Sequence, residues 1–236
     1  MCLAPAHDPA TQTLAPYLPM FDPEHFHDVA FFAELAKIGY RQVLIGGTGS
    51  GPVSDLVRGI RARAGLQVVL VPGSPAAVTD ADLIVLPDVM NSNSHYARPF
   101  GSGSVATAAA VAAAGVPFLP VAYFILGRST ARWYFDAFDL PSDSVLLAYA
   151  RYAQMIGYRD LALDYEGPSR AINPKLISQL AAIPGLRLRV SDELDAAGAA
   201  ALLELGVDTV ITPSDIYEEH ADPLAHAAAM HTALLR

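Results

Sequence analysis

Short apolar runs recur along the chain, separated by amphipathic or alanine-rich stretches, with turn residues marking each change. Eight runs rich in β-branched and aromatic residues predict strands: Tyr17–Pro23, Gln42–Thr48, Gln67–Gly73, Leu83–Val89, Phe118–Leu126, Asp160–Glu166, Leu186–Val190 and Thr209–Ser214. Most are apolar almost without interruption, the pattern of parallel strands covered on both faces. Between and after them, His27–Ile38, Pro52–Ala64, Ser102–Ala114, Ser142–Ile156, Pro174–Ala182, Asp195–Leu205 and Pro223–Leu235 predict helices. This alternation predicts an α/β protein with a single (βα)8 TIM barrel, a doubly wound sheet being the other arrangement the pattern allows. The third unit is irregular, because the connection from Val71-Pro72-Gly73-Ser74-Pro75 to Leu83 is short for a full helix. Residues 1–16 read as an N-terminal extension and 17–236 as the barrel.

In such barrels chemistry sits at the carboxyl ends of the strands. Reading those ends gives Asp22, Thr48, Ser74, Asp88 to Asn91, Tyr123, Asp164 to Gly167, Ser191 to Glu193 and Pro213 to Asp215, a rim in which acids predominate. The second strand opens into Gly46-Gly47-Thr48-Gly49-Ser50-Gly51, with a helix predicted from Pro52. Glycines let backbone N–H groups approach phosphate oxygens, and a hydroxyl can ligate Mg2+. Asp22 and Thr48, on neighbouring strand ends, are oxygen donors suited to that hard cation.

Composition narrows the field. The chain has 236 residues, 53% of them hydrophobic and 17% charged, which is enough to bury a large core. A net charge of −9, with Lys37 and Lys175 the only lysines, argues against nucleic acid and anionic lipid as partners. An acidic enzyme taking an anionic diphosphate needs a cation to offset repulsion, which strengthens the case for Mg2+. The lone Cys2 excludes a disulfide framework and a cysteine-based zinc site. No apolar run reaches the roughly 18 residues of a membrane span, and the first ten residues lack a signal-peptide pattern, so a cytoplasmic protein is expected.

The strand ends, taken in order, resemble those of the geranylgeranylglyceryl and heptaprenylglyceryl phosphate synthase family, the TIM-barrel prenyltransferases. The resemblance rests on Phe21-Asp22-Pro23-Glu24, Ile45-Gly46-Gly47-Thr48, Val71-Pro72-Gly73-Ser74, Asp82 to Pro87 with Val89-Met90-Asn91-Ser92, and Tyr123-Phe124-Ile125 with Ser129 to Trp133. It implies Mg2+-dependent transfer of a prenyl group from its diphosphate to a hydroxyl of a small-molecule acceptor, glycerol 1-phosphate in the family. It also implies a homodimer, and peripheral membrane contact through a lipid product.

By position, Asp22 and Thr48 match the family's metal ligands, and Asp164 its acceptor-activating glutamate, with Glu166 close by as a second catalytic candidate. For substrate the expected contacts are Gly46, Gly47, Ser74 and Asn91 at strands two to four, then Tyr96, Tyr123 and Arg132. Tyr165, Gly167, Ser191 and Ser214 complete them on the later strands. Phe100, Phe124, Trp133, Tyr134 and Phe135 are further candidates to wall a carbocation, and Arg98 and Arg128 to meet diphosphate oxygens.

The acceptor end departs from the family pattern. Met20 stands where the family has a lysine, Ser191-Asp192-Glu193-Leu194 where it has a Gly-Gly-Gly-Ile phosphate loop, and Pro213-Ser214 where it has Gly-Asn, with Asp215 following. Proline removes a backbone donor and carboxylates repel phosphate. The acceptor therefore stays open between 3-phosphoglycerate, used by the branch resembling the farnesyl transferase of phosphoglycolipid antibiotic assembly, and an unphosphorylated compound. A terpene synthase or diphosphate lyase acting on prenyl diphosphate alone, and a non-catalytic isoprenoid-binding barrel, are the alternative functions. A buried Asp164 paired with Arg170 or Arg189 is the structural alternative at strand six. His25 and His27 are expected at the start of the first helix, and His220, His226 and His231 are assigned no function.

Overall fold

Eight parallel strands close on themselves in chain order in the computed structural model, which describes residues 13–47, 53–167, 171–218 and 220–235. They are β1 (Tyr17–Phe21), β2 (Gln42–Gly46), β3 (Gln67–Val71), β4 (Leu83–Val89), β5 (Phe118–Ile125), β6 (Asp160–Asp164), β7 (Arg187–Ser191) and β8 (Thr209–Thr212). Leu18 of β1 lies opposite Ile211 of β8, which completes the ring. This is the (βα)8 barrel expected from the apolar runs.

The helices on the outside are α1 (Val29–Ile38), α2 (Ser54–Gly59), α3 (Ser102–Ala114), α4 (Thr130–Tyr134), α5 (Asp143–Met155), α6 (Pro174–Ala181), α7 (Ala196–Glu204), α8 (Asp215–Glu218) and α9 (Pro223–Leu234). Several starts are fixed by side chains that accept from the first turn: Asp28 from the Ala30 N–H, Asp195 from Gly198 and Asp222 from Ala225, each at 2.8–2.9 Å. Asn173 does the same for α6, where Pro174 occupies the first helical position. α2 continues as a π-helical turn over Ile60–Ala64 before Gly65 ends it in a left-handed conformation. The two short helices α4 and α8 are additions to the predicted set.

The third unit has no α-helix. Between β3 and β4 the chain makes only a 3-10 turn, Pro75–Ala77, and then an extended segment. Arg61 binds Asp80 and Asp82 there, and the Asp82 carboxylate accepts the Val68 N–H at 2.8 Å.

Inside the ring, alternate residues of β1 to β5 make an apolar filling of Leu18, Leu44, Val69, Val85, Leu119 and Val121. The wall made by β6 to β8 is different. Asp160 is fully buried and takes the guanidinium groups of both Arg187, at 2.7 Å, and Arg189, whose other nitrogen donates to Thr209 Oγ1 at 2.8 Å. Burial pulls the Arg189 guanidinium below its ordinary pKa, and the Asp160 charge works against that shift. The outward faces pack beneath the helices, with Phe21, Phe32, Phe124, Leu161, Leu188 and Val190 all fully buried.

Candidate active site

Strand register brings the predicted acids together. Asp164 ends β6 opposite Ser191, the last residue of β7, and Ile125 of β5 pairs with Asp164 on the other side. The Tyr123 hydroxyl donates to Asp164 Oδ2 at 2.6 Å, while Asp164 Oδ1 accepts the Glu166 N–H at 2.9 Å. Ser191 Oγ donates to Glu166 Oε1 at 2.5 Å. Four side chains from three strand ends thus form one connected group.

Burial dominates the electrostatics of this group. It pushes the Asp164 carboxyl up to about 6, against the opposing pull of the Tyr123 and Glu166 N–H bonds. It pushes Glu166 up to about 8, with the nearby Asp164 charge adding to the effect. Around neutral pH Asp164 is the ionised member and Glu166 the protonated one. The Tyr123 phenol is raised well above its ordinary value, first by burial and then by the two carboxylates, so it stays a donor.

Across the mouth, Asp22 follows β1 with one carboxylate oxygen accepting the Glu24 N–H at 2.9 Å. Its other oxygen lies over Gly47, where a Cβ would come within 2.2 Å of it. Only glycine at 47 lets this carboxylate lie against the end of β2. Gly46 is the last residue of β2. Thr48, the second expected metal ligand, lies outside the described residues, as does Arg170.

An apolar groove of about 240 Å3 opens beside β4. It runs from Pro72 and Gly73 near the mouth, past Leu86 and α3, to Phe118 at the start of β5. Tyr96, Phe100 and Phe135 line it, and the Tyr96 ring packs so closely on Gly103 that a Cβ there would meet it at 2.4 Å. The groove lies where the third unit lacks a helix.

Other expected contacts have structural duties. The Asn91 amide is fully buried; it donates to the Ile125 and Phe138 carbonyls at 2.8 Å each and accepts the Ile125 N–H, tying β4 to β5. Tyr165 follows Asp164 but turns outward into the helix-covered core, as does Phe124. Arg132 sits on α4 and binds Asp139 at 2.9 Å and the Gly127 carbonyl. Ser74 precedes the 3-10 turn. Ser214 starts α8, its carbonyl accepting the Tyr217 and Glu218 N–H groups. Trp133 is on the surface. Arg189 belongs to Asp160, so the expected alternative of an Asp164–Arg189 pair is replaced by an ion pair lower in the barrel. His25 binds Glu218 at 2.9 Å, and the His220 and His226 rings stack with centroids 4.0 Å apart.

Comparison with known proteins gives the same direction. Residues 11–231 match the PcrB family. The chain belongs to the PcrB family. As a member it is an enzyme of the prenyltransferase type, and its barrel is the family's barrel. The geranylgeranylglyceryl phosphate synthase of Nitrosopumilus maritimus is 27% identical over 193 residues, covering 75% of this chain and 74% of its own length. That of Cenarchaeum symbiosum is 28% identical over 203 residues, with 80% and 79% covered. The structure of wild-type GGGPS from Thermoplasma volcanium matches with a TM-score of 0.80 at 21% identity, over 93% of this chain and 92% of that one, which shows the shared fold.

Within this PcrB-family barrel, the Tyr123–Asp164–Glu166–Ser191 group could not be read from sequence as a network, since Tyr123 and Ser191 lie 41 and 25 residues from the acids they bind. Two contacts had no sequence signal at all: the Tyr158 hydroxyl donates to Asp88 in the groove wall at 2.5 Å, and the Gly167 N–H donates to Glu193 Oε1 at 3.1 Å. Among the described residues no group of three or more His, Cys, Asp or Glu side chains is placed to hold a metal.

Proposed function

We propose that this prenyltransferase moves an isoprenoid from a prenyl diphosphate to a hydroxyl acceptor, with the diphosphate at the β1–β3 side of the mouth and the acceptor at the β6–β8 side. The observation that carries the reading is the groove beside β4, largely apolar and reaching Pro72 and Gly73 just after the end of β3. An isoprenoid tail laid in it gains about 4 kcal/mol per five-carbon unit, at about 0.8 kcal/mol per buried carbon. No comparable apolar channel is needed by an enzyme of small polar substrates.

Asp22 fits the role of a Mg2+ ligand. Its carboxylate is a hard oxygen donor held at a strand end by the Glu24 N–H, and Gly47 leaves room beside it. In this reading Asp22 and Thr48, both hard oxygen donors, would hold the cation. Bound there, Mg2+ offsets the charge that develops on the departing diphosphate. The space over Gly47 is filled by the Asp22 carboxylate and that beside Gly46 by the Val71 and Leu44 side chains, so neither glycine meets the diphosphate directly.

On the other side, Asp164 takes the acceptor's hydroxyl proton as the new C–O bond forms. Tyr123 orients its carboxylate through Oδ2. Glu166, protonated and held by Ser191, limits negative charge beside it. Tyr96 and Phe135 face the tail from the groove wall. The reading includes a homodimer in the cytoplasm that meets a membrane only through its lipid product; no helix of the described residues is long and apolar enough to cross one.

Incubation with labelled prenyl diphosphates of several lengths, Mg2+ and a panel of phosphorylated and unphosphorylated hydroxyl acceptors tests this. Acceptor-dependent release of diphosphate is expected. Release without acceptor would assign a lyase or cyclase instead, and no Mg2+-dependent consumption with any acceptor would overturn the reading.

A further inference from the structure

We infer that Asp88 is a specificity-determining residue for the isoprenoid tail: its carboxylate, in the wall of an otherwise apolar groove, cancels the advantage of tails long enough to cover it. A short prenyl diphosphate then serves this enzyme as well as a long one. This rests on the prenyltransferase reading above and names the donor preference within it.

Strand alternation explains why Asp88 meets the groove. Ile84 and Leu86 of β4 face outward into the helix-covered core, and Asp88, two residues further on, shares that face. It interrupts a strand that is otherwise apolar from Leu83 to Val89. Around it stand Leu86, Pro87, Val89, Ala97 and Phe135, and among the described residues that line the groove Asp88 carries the only charged side chain.

One side of this carboxylate is held. The Tyr158 hydroxyl donates to Asp88 Oδ2 at 2.5 Å from a buried ring. Burial, with the Asp88 bond adding to it, raises the Tyr158 phenol above its ordinary pKa, so Tyr158 remains the donor. Asp88 itself is only half-buried, and Tyr158 is the one side chain among the described residues that bonds it. Hydrocarbon laid over Asp88 shuts out solvent and offers no hydrogen bond in exchange.

Placement decides which tails meet that cost. The diphosphate end, at Asp22 and Gly47, is two strand spacings from β4, about 10 Å, so the first units of a tail span this gap. Asp88 is next to last in β4, at the mouth end of the groove, and it pairs with Ala122 of β5. Phe118, at the far end, is the first residue of β5, about 13 Å along the strand from Ala122. A tail that reaches Phe118 from the mouth therefore passes Asp88. The gain from burying its later units is offset by the carboxylate they cover, and affinity stops rising with length.

Non-hydrolysable thiodiphosphate analogues with tails of ten, fifteen and twenty carbons test this. Each is titrated with Mg2+ into the parent, into Asp88→Asn, and into Asp88→Val combined with Tyr158→Phe, which leaves no hydroxyl unpaired. Melting temperatures confirm folding. In the parent, affinity should change by less than about threefold from ten to twenty carbons. The combined variant should favour the twenty-carbon analogue over the ten-carbon one by about 30-fold more than the parent does. Asp88→Asn keeps the Tyr158 hydrogen bond and loses the charge, and its preference should grow by about tenfold. Should the combined variant melt early, Asp88→Asn alone decides. Equal length dependence in parent and variants would overturn the inference and leave the function reading standing. So would a parent that favours the twenty-carbon analogue and loses that preference without Asp88, since the carboxylate would then help to hold the tail. Failure of every protein to bind any analogue would overturn the function reading and this inference with it.

Discussion

On the β1–β4 side of the mouth, the Asp22 carboxylate lies against the glycine at the end of β2, and a largely apolar groove with Asp88 in its wall runs beside β4. On the β6–β8 side, Asp164, Glu166, Asp192 and Glu193 crowd together, and three of these carboxylates accept the N–H groups of Glu166, Gly167 and Glu193. The same division continues down the barrel, where aliphatic side chains of β1 to β5 face the Asp160–Arg187–Arg189 cluster of β6 and β7. In the proposed reading the first side takes the charged head and the apolar tail of the prenyl diphosphate. The second supplies its own anions. A barrel that evolves its two ligands on different strands can keep one half and rebuild the other without disturbing the shared ring of hydrogen bonds.

Substitutions that hit one half and spare the other break this comparison most sharply. Asp22→Ala should lower turnover of prenyl diphosphate by roughly 10²–10³-fold, the scale of losing one group that stabilises leaving-group charge. Diphosphate release measures it, with circular dichroism to confirm the fold. Asp164→Asn keeps the Tyr123 hydrogen bond but cannot accept a proton, so kcat should fall on the order of 100-fold with little change in KM for prenyl diphosphate. The parent's rate should also drop as pH falls through about 6, where Asp164 becomes protonated, and the variant's rate should lack that limb.

The groove sharpens the comparison at smaller effect. Ala108 lines it from further along α3, on the Phe118 side, and Ala108→Phe should displace the far end of a long tail. Losing burial of about two carbons, at about 0.8 kcal/mol each, raises KM about tenfold for the longest accepted prenyl diphosphate and leaves the shortest almost unaffected. Steady-state kinetics across a chain-length series reads this directly.

The smallest effect is on stability. Glu166 is raised from 4.5 to about 8 in the folded protein, so the folded state binds this proton more tightly than the unfolded chain does. That contribution is complete below about pH 4.5 and is lost as pH rises through 8. Glu166→Gln does not titrate. Its melting temperature should match the parent's near pH 4 and exceed it by roughly 5 °C at pH 9.

Much of this was legible along the chain because parallel strands buried on both faces are short continuous apolar runs, and because Asp28, Asn173, Asp195 and Asp222 mark helix starts. The irregular third unit could be seen from the proline and glycine content between Val71 and Leu83. α4 and α8, five and four residues long, are too short to show a helical period. At the site, strand ends pointed to Asp22, Asp164 and Ser191. They also pointed to Tyr165, yet neighbours on a strand face opposite ways, and Asp164 looking inward sends Tyr165 outward. The partner of Arg189 was not legible, since Ala162 is its neighbour in register and the long side chain reaches past it to Asp160. Nor was the role of Asn91, whose partners come from β5 and Phe138.

The division of the mouth is tested most directly by equilibrium binding of a prenyl diphosphate analogue to variants of its two sides. A non-hydrolysable prenyl thiodiphosphate is titrated calorimetrically with Mg2+ into the parent, Asp22→Ala and Asp164→Asn. The account predicts saturable binding by the parent and by Asp164→Asn, and its loss in Asp22→Ala. Thiodiphosphate binding indifferent to Asp22, or lost in Asp164→Asn, would contradict it.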